Sequence, residues 1–163
     1  MRAILLAAIL ASALYGEAKA QSLAHQWAVC RGHDSEQLIR ACTAILKGGR
    51  QAPGDLARAF FNRGRALSDE AQYGRAIEDF DRAVRLDPDY PDAFNHRALA
   101  YAGLGDYERA IKDFDEAIRL DPNYAIAIFN RALALQAMGR PDEAAKDFAK
   151  AKESGPRLTS PKE

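Results

Sequence analysis

The sequence predicts an all-α fold, an array of helix hairpins with a helical cap at its N-terminal end, and three observations carry that prediction. The 163-residue chain overlays on itself in three consecutive copies, 57–90, 91–124 and 125–158, without an insertion. Within each copy the apolar residues fall at helical spacing. Alanine is abundant, whereas Val29 and Val84 are the only valines and Thr43 and Thr159 the only threonines, so apart from Ile the β-branched stock of sheets is nearly missing. This length allows one domain or a short repeat array and excludes a multidomain enzyme. The 23 Lys+Arg balance 23 Asp+Glu and are not segregated, which argues against nucleic acid as the main partner.

Residues 1–20 read as an export signal. Met1-Arg2 is a short positive start, Ala3 to Leu14 is an uncharged and almost wholly apolar run, and Ala18-Lys19-Ala20 offers small residues before Gln21. A run of about a dozen residues is short of the ~20 that a membrane-crossing helix needs. Cleavage removes Arg2, Glu17 and Lys19 and leaves a chain that begins at Gln21, with net charge −1 and no membrane span. The expected location is periplasmic or secreted.

Residues 21–56 form the cap and its linker. A helix from Leu23 to Cys30 bears Trp27, and Leu38, Ile39, Cys42, Ile45 and Leu46 make the apolar stripe of a second. Asp34 with Gln37 opens the second helix as a capping box, Gly48-Gly49 closes it, and Gly48 to Gly54 leads to the array. Cys30 and Cys42 are the only thiols. In an exported chain they point to an intramolecular disulfide, with free thiols and a zinc site of His25, Cys30, His33 and Cys42 as the alternatives. The zinc spacing matches no finger pattern. His33-Asp34-Ser35 reads as helix capping, because three consecutive residues cannot converge as a catalytic triad. No constellation supports an enzyme, a metal or a cofactor, and no phosphate-binding loop is present.

The three repeats follow the linker, with 159–163 as a flexible tail. In the first, Phe60, Arg63, Gly64 and Leu67 stand at i, i+3, i+4 and i+7, and Ala76, Phe80 and Ala83 at i, i+4 and i+7, which makes two amphipathic helices. Small residues at 64 and 76 admit close backbones beside Phe80. Leu86-Asp87-Pro88 and Leu120-Asp121-Pro122 stop the second helices, since proline cannot continue a helix and restricts its predecessor. Arg63, Arg97 and Arg131 recur with Asp79, Asp113 and Asp147. They are either ion pairs inside each hairpin or a row of arginines for an acidic partner. Ile77 and Ile111 become Ala145, Val84 and Ile118 become Lys152, and Leu86 and Leu120 become Ser154, so the last repeat caps itself, with fraying from Ser154 onward.

This hairpin resembles the tetratricopeptide repeat, over the whole of 57–158. The second unit carries the resemblance best, with Phe94, Ala98, Tyr101, Gly105, Tyr107, Ala110, Phe114, Ala117 and Pro122 at the family's signature places. Ala71 replaces the usual turn glycine in the first unit, and Pro141 the turn aromatic in the third. Phe61-Asn62-Arg63-Gly64 and the stretch from Asp113 to Pro122 are similar to exported bacterial members of the family. The resemblance implies a right-handed superhelix whose inner surface binds extended peptides or partner helices, with Phe61, Arg65, Asn95, Leu99, Phe129 and Leu133 facing inward and Asn62, His96 and Asn130 beside them. His96 stands where the other units have Asn, in a polar structural role. Members that clamp a terminal carboxylate use Lys and Asn at places where this chain has Phe61 and Phe129, and Arg65, Leu99 and Leu133. The implied function is therefore a non-enzymatic adaptor for a protein or peptide carrying bulky side chains. Phe61 and Phe129 packing between helices, and weak self-association of the monomer through its incompletely covered ends or the groove, are the alternatives.

Overall fold

The computed structural model describes residues 22–49 and 51–155, and every regular element among them is a helix. The expected export signal and the 159–163 tail lie outside the described residues. Residues 22–30 form α1, followed by α2 (Ser35–Gly48), α3 (Pro53–Asp69), α4 (Tyr73–Leu86), α5 (Pro91–Gly103), α6 (Tyr107–Leu120), α7 (Ala125–Ala137) and α8 (Pro141–Ser154). Helices pack on their sequence neighbours: α3 with α4, α5 with α6 and α7 with α8 as pairs, and α2 on α3, α4 on α5 and α6 on α7 between pairs.

Local chemistry sets the helix limits. Asp34 caps α2 by accepting from the Gln37 backbone N–H at 2.8 Å, and Gly49 ends it with φ +65°. Pro53 sits in the first turn of α3, where its missing N–H costs nothing. Consequently α3 has 17 residues against 13 in α5 and in α7, and the expected Gly48 to Gly54 linker contracts, since α2 includes Gly48 and α3 starts before Gly54. The turn inside each pair is the same Schellman motif: Gln72, Asp106 and Arg140 donate back to the carbonyls of Leu67, Tyr101 and Leu135 at 2.8, 2.9 and 2.9 Å. The residue before each donor is left-handed, with φ of +55° at Ala71, +79° at Gly105 and +73° at Gly139. At the other joints Asp87 and Asp121 are extended because proline follows, and their carboxylates accept from the backbone of Asp89 and Asn123.

The core runs along the array as overlapping clusters. Leu38, Cys42 and Ile45 of α2 pack with Ala59 and Ala66; Ala76, Phe80 and Ala83 of α4 with Ala93 and Ala100; Ala110, Phe114 and Ala117 of α6 with Ala127 and Ala134. Alanine lets the backbones approach, and one phenylalanine per pair fills the remaining space. A Cβ on Gly64 would lie 2.8 Å from the Phe80 ring, so this position holds the smallest residue.

Cys30 and Cys42 are joined in a disulfide. Cys30 stands one full repeat before Gly64, whereas Leu38, Cys42 and Ile45 stand one repeat and a further helical turn before Ala76, Phe80 and Ala83. By register, the bond therefore replaces the contact between Gly64 and Phe80, in a hairpin with a shorter turn. With both sulfurs consumed, the alternative set of His25, Cys30, His33 and Cys42 has no thiolate to offer zinc.

Candidate peptide-binding surface

The candidate residues lie on α3, α5 and α7, the first helix of each pair, and the structure sorts them into two groups. Phe61 is only 7% exposed, with ring centroids 4.9 Å from Tyr90, 5.2 Å from His96 and 6.1 Å from Phe80. It belongs to the core and not to a ligand-facing surface, because Tyr90 from the next joint closes over it. Asn95 is buried as well, and its side-chain carbonyl accepts from Asn130 at 3.2 Å. His96 stacks on Phe80 with centroids 6.2 Å apart, so it also serves packing. Burial first, and the Arg65 charge second, lower the His96 pKa to about 4. Asn62 and Asn130 are half-buried, and Arg65 is exposed with its guanidinium 5.8 Å from the Phe61 ring centroid.

The other group is open. Leu99 on α5 and Ile126, Phe129 and Leu133 on α7 are 38–47% exposed. Residues 126, 129 and 133 are at i, i+3 and i+7, hence on one helix face, and Leu133 occupies on α7 the place of Leu99 on α5. Ile126 was not among the expected residues, although this spacing marks it. Phe129 makes an edge contact to Phe148 at 5.4 Å, and an apolar groove of about 530 Å³ opens beside them.

The arginines form a ladder on another part of the hairpins. Arg63, Arg97 and Arg131 each reach both carboxylate oxygens of Asp79, Asp113 and Asp147 at 2.7 Å. The remaining nitrogen bridges to the preceding pair: Arg97 to Asp81 at 2.8 Å, Arg131 to Asp115 at 2.6 Å, and Arg63 to the Thr43 hydroxyl at 2.9 Å. Asp81 and Asp115 hold the same place in successive repeats and were findable by the same overlay. Burial alone would ease the Arg97 proton off, but the bonds to Asp113 and Asp81 hold it more firmly than in an ordinary arginine. For Arg131 the bond to Asp147 dominates in the same direction. All three forks are spent on the chain's own oxygens. Among the described residues no group of three or more His, Cys, Asp or Glu is placed to hold a metal ion, and no helix is long and apolar enough to cross a membrane.

Tetratricopeptide repeat profiles match residues 61–125 and 101–157. The second TPR of Spaghetti (RPAP3), solved bound to the HSP90 peptide SRMEEVD, is 30% identical, with a TM-score of 0.60 over 69% of this chain and 99% of that one. The chain belongs to the tetratricopeptide repeat family. Other similar tetratricopeptide structures are MamA, at 27% identity and TM-score 0.67 over 74% of this chain and 68% of that one, and the Sgt2 TPR domain from Aspergillus fumigatus, at 27% and 0.62 over 68% and 73%. No curated protein sequence matches the chain. In this tetratricopeptide array Phe61 on α3 is covered by the chain's own aromatic side chains, whereas Leu99 on α5 and Ile126, Phe129 and Leu133 on α7 are exposed.

Proposed function

We propose that this tetratricopeptide protein is a non-enzymatic scaffold of the bacterial cell envelope that binds an extended segment of another protein. The observation that carries the reading is the exposed stripe of Leu99, Ile126, Phe129 and Leu133 across two neighbouring first helices. Isolated exposed apolar residues are ordinary, but three on one face of α7, with a fourth at the equivalent place on α5, make a surface of the kind that interfaces use. The two solved RPAP3 domains, each bound to a peptide, support a protein or peptide as the ligand class. The RPAP3 ligand SRMEEVD is acidic, whereas this stripe is apolar, and Arg65 holds on α3 the place that Leu99 and Leu133 hold on α5 and α7. The fitting ligand presents two or three bulky apolar side chains on one face and an acidic or polar group towards Arg65.

Export rests on the charged start, apolar run and small residues of 1–20, and is supported by a disulfide, a bond that persists in oxidising compartments. The units 57–90, 91–124 and 125–158 then stack as a right-handed superhelix with α3, α5 and α7 lining its inner side.

The test is crosslinked capture from an envelope extract with the full chain as bait. A partner recovered by the wild type and lost by both Phe129→Asp and Leu133→Asp supports the stripe, while equal recovery by the variants removes it. Mass spectrometry of protein from the envelope fraction checks export separately, with Gln21 as the expected first residue.

A further inference from the structure

The apolar groove at the C-terminal end has a counterpart in each earlier hairpin, and there it is filled. In the first, Tyr90 is 8% exposed and lies with Phe61, Phe80 and Ala83 in one cluster. In the second, Tyr124 is 7% exposed beside Phe114 and Ala117, and its hydroxyl donates to Asp92. In the third, the groove of about 530 Å³ is lined by Ile126, Phe129, Phe148, Ala151, Lys152 and Gly155. Phe129, Phe148 and Ala151 are the third-repeat equivalents of Phe61, Phe80 and Ala83, so this is the Tyr90 site again without a described occupant.

The repeat register names one. One repeat beyond Tyr124 and two beyond Tyr90, the equivalent residue is Leu158. Its neighbour changes with it: Asp92, the acceptor of the Tyr124 hydroxyl, has Ile126 as its equivalent in the third repeat. A polar Tyr and Asp pair in one hairpin becomes an apolar Leu and Ile pair in the next. Gly155 already lines the groove, and three further residues span at most ~10 Å, which is ample to return a side chain to it.

A fourth hairpin, from this chain or a second copy, is a poorer occupant. The inter-pair acceptors Asp81 and Asp115 are replaced by Ala149, which gives a following arginine nothing to bind. Ile77 and Ile111 are replaced by the exposed Ala145, and Val84 and Ile118 by the exposed Lys152.

We propose that the groove is a docking site for the chain's own segment 156–163, with Leu158 seated against Ile126, Phe129 and Phe148. Docked there, the segment covers one side of Phe129, so a ligand on the α5 and α7 stripe competes with it at Phe129 but not at Leu99 and Leu133. The docking does not depend on the peptide-binding reading.

The test uses the full chain with labelled leucine methyls. Nuclear Overhauser contacts from the Leu158 methyls to the Phe129 and Phe148 rings are expected. Leu158→Asp should speed amide exchange in the last turn of α8 at least tenfold, while Leu158→Met leaves it near the wild-type rate. Absence of the contacts, or exchange unmoved by Leu158→Asp, overturns the proposal. Contacts that appear only at concentrations where sedimentation shows a dimer also overturn it, and assign the groove to a second copy.

Discussion

Arg97 and Asp113 meet fork to fork: Nε and Nη2 of the guanidinium each donate a 2.7 Å hydrogen bond to one carboxylate oxygen. Their side chains are 16% and 10% exposed, and burial pushes the Asp113 carboxyl up against the pull of Arg97. Removing the guanidinium strands a buried acid. Arg97→Ala is therefore expected to destabilise the fold by about 3–5 kcal/mol. Asp81→Ala, which removes only the bridge to the preceding pair, should lose about 1 kcal/mol. Urea unfolding of both variants checks the ordering. Unchanged stability in Arg97→Ala together with weaker capture of a partner would restore the row of arginines to a ligand-gripping role.

Ala71 adopts the left-handed conformation that Gly105 and Gly139 take in the later hairpins, with φ +55°. An L-residue there is strained by roughly 1–2 kcal/mol, partly offset by the greater freedom of glycine in the unfolded chain. Ala71→Gly should stabilise the protein by about 1 kcal/mol and raise Tm by a few degrees. Gly105→Ala should do the opposite by a similar amount, since a Cβ at that position meets open space and only the backbone strain changes. Calorimetry of the two variants separates this from packing.

How much of this was readable from residues alone depends on the range of the interaction. The turn at Ala71 could be read because the motif is local and the repeat supplies glycine at the same place twice. The same recurrence exposes the pairing of Arg63 with Asp79, since both partners move together from one repeat to the next. The fate of Phe61 could not be read from its helix. It is settled by Tyr90, on the joint that follows α4, which closes over its ring, whereas the equivalent Phe129, out of reach of any such tyrosine among the described residues, is 47% exposed. Asn95 is likewise decided by Asn130 on the next first helix. Equivalent positions on the first helices thus share a place in the repeat but not an environment, and the neighbouring repeat determines which of them is exposed.

His96 adds a pH dependence. Its folded pKa of about 4 is below the ordinary value of 6.5, so the unfolded chain binds more protons between them. Stability is therefore intact above pH 6.5, declines as the pH falls towards 4, and loses about 3 kcal/mol from this group across the window. His96→Asn, which installs the residue found at positions 62 and 130, should remove that slope although it costs some aromatic packing at neutral pH. Unfolding free energies at pH 7, 5.5 and 4.5 give the comparison. Parallel curves for wild type and variant would show that His96 is not the titrating group.

The disulfide between Cys30 and Cys42 closes a loop of sequence separation 12 at the N-terminal end. A cross-link over this length contributes roughly 3 kcal/mol by the chain-entropy estimate, and by register it also substitutes for the packing of a phenylalanine on a glycine. Its loss should be local, because hairpins in an array depend mainly on their neighbours. The double variant Cys30→Ser, Cys42→Ser is expected to lose amide protection in α1 and α2, with a smaller loss in α3 and none in α7 and α8. Alkylation of the untreated chain should add no mass, and after reduction it should add two labels. Two labels without reductant would mean that the thiols are free in solution. Uniform loss of protection through α8 would instead show that the cap and the three repeat pairs unfold as one cooperative unit, with the disulfide setting the stability of the whole array.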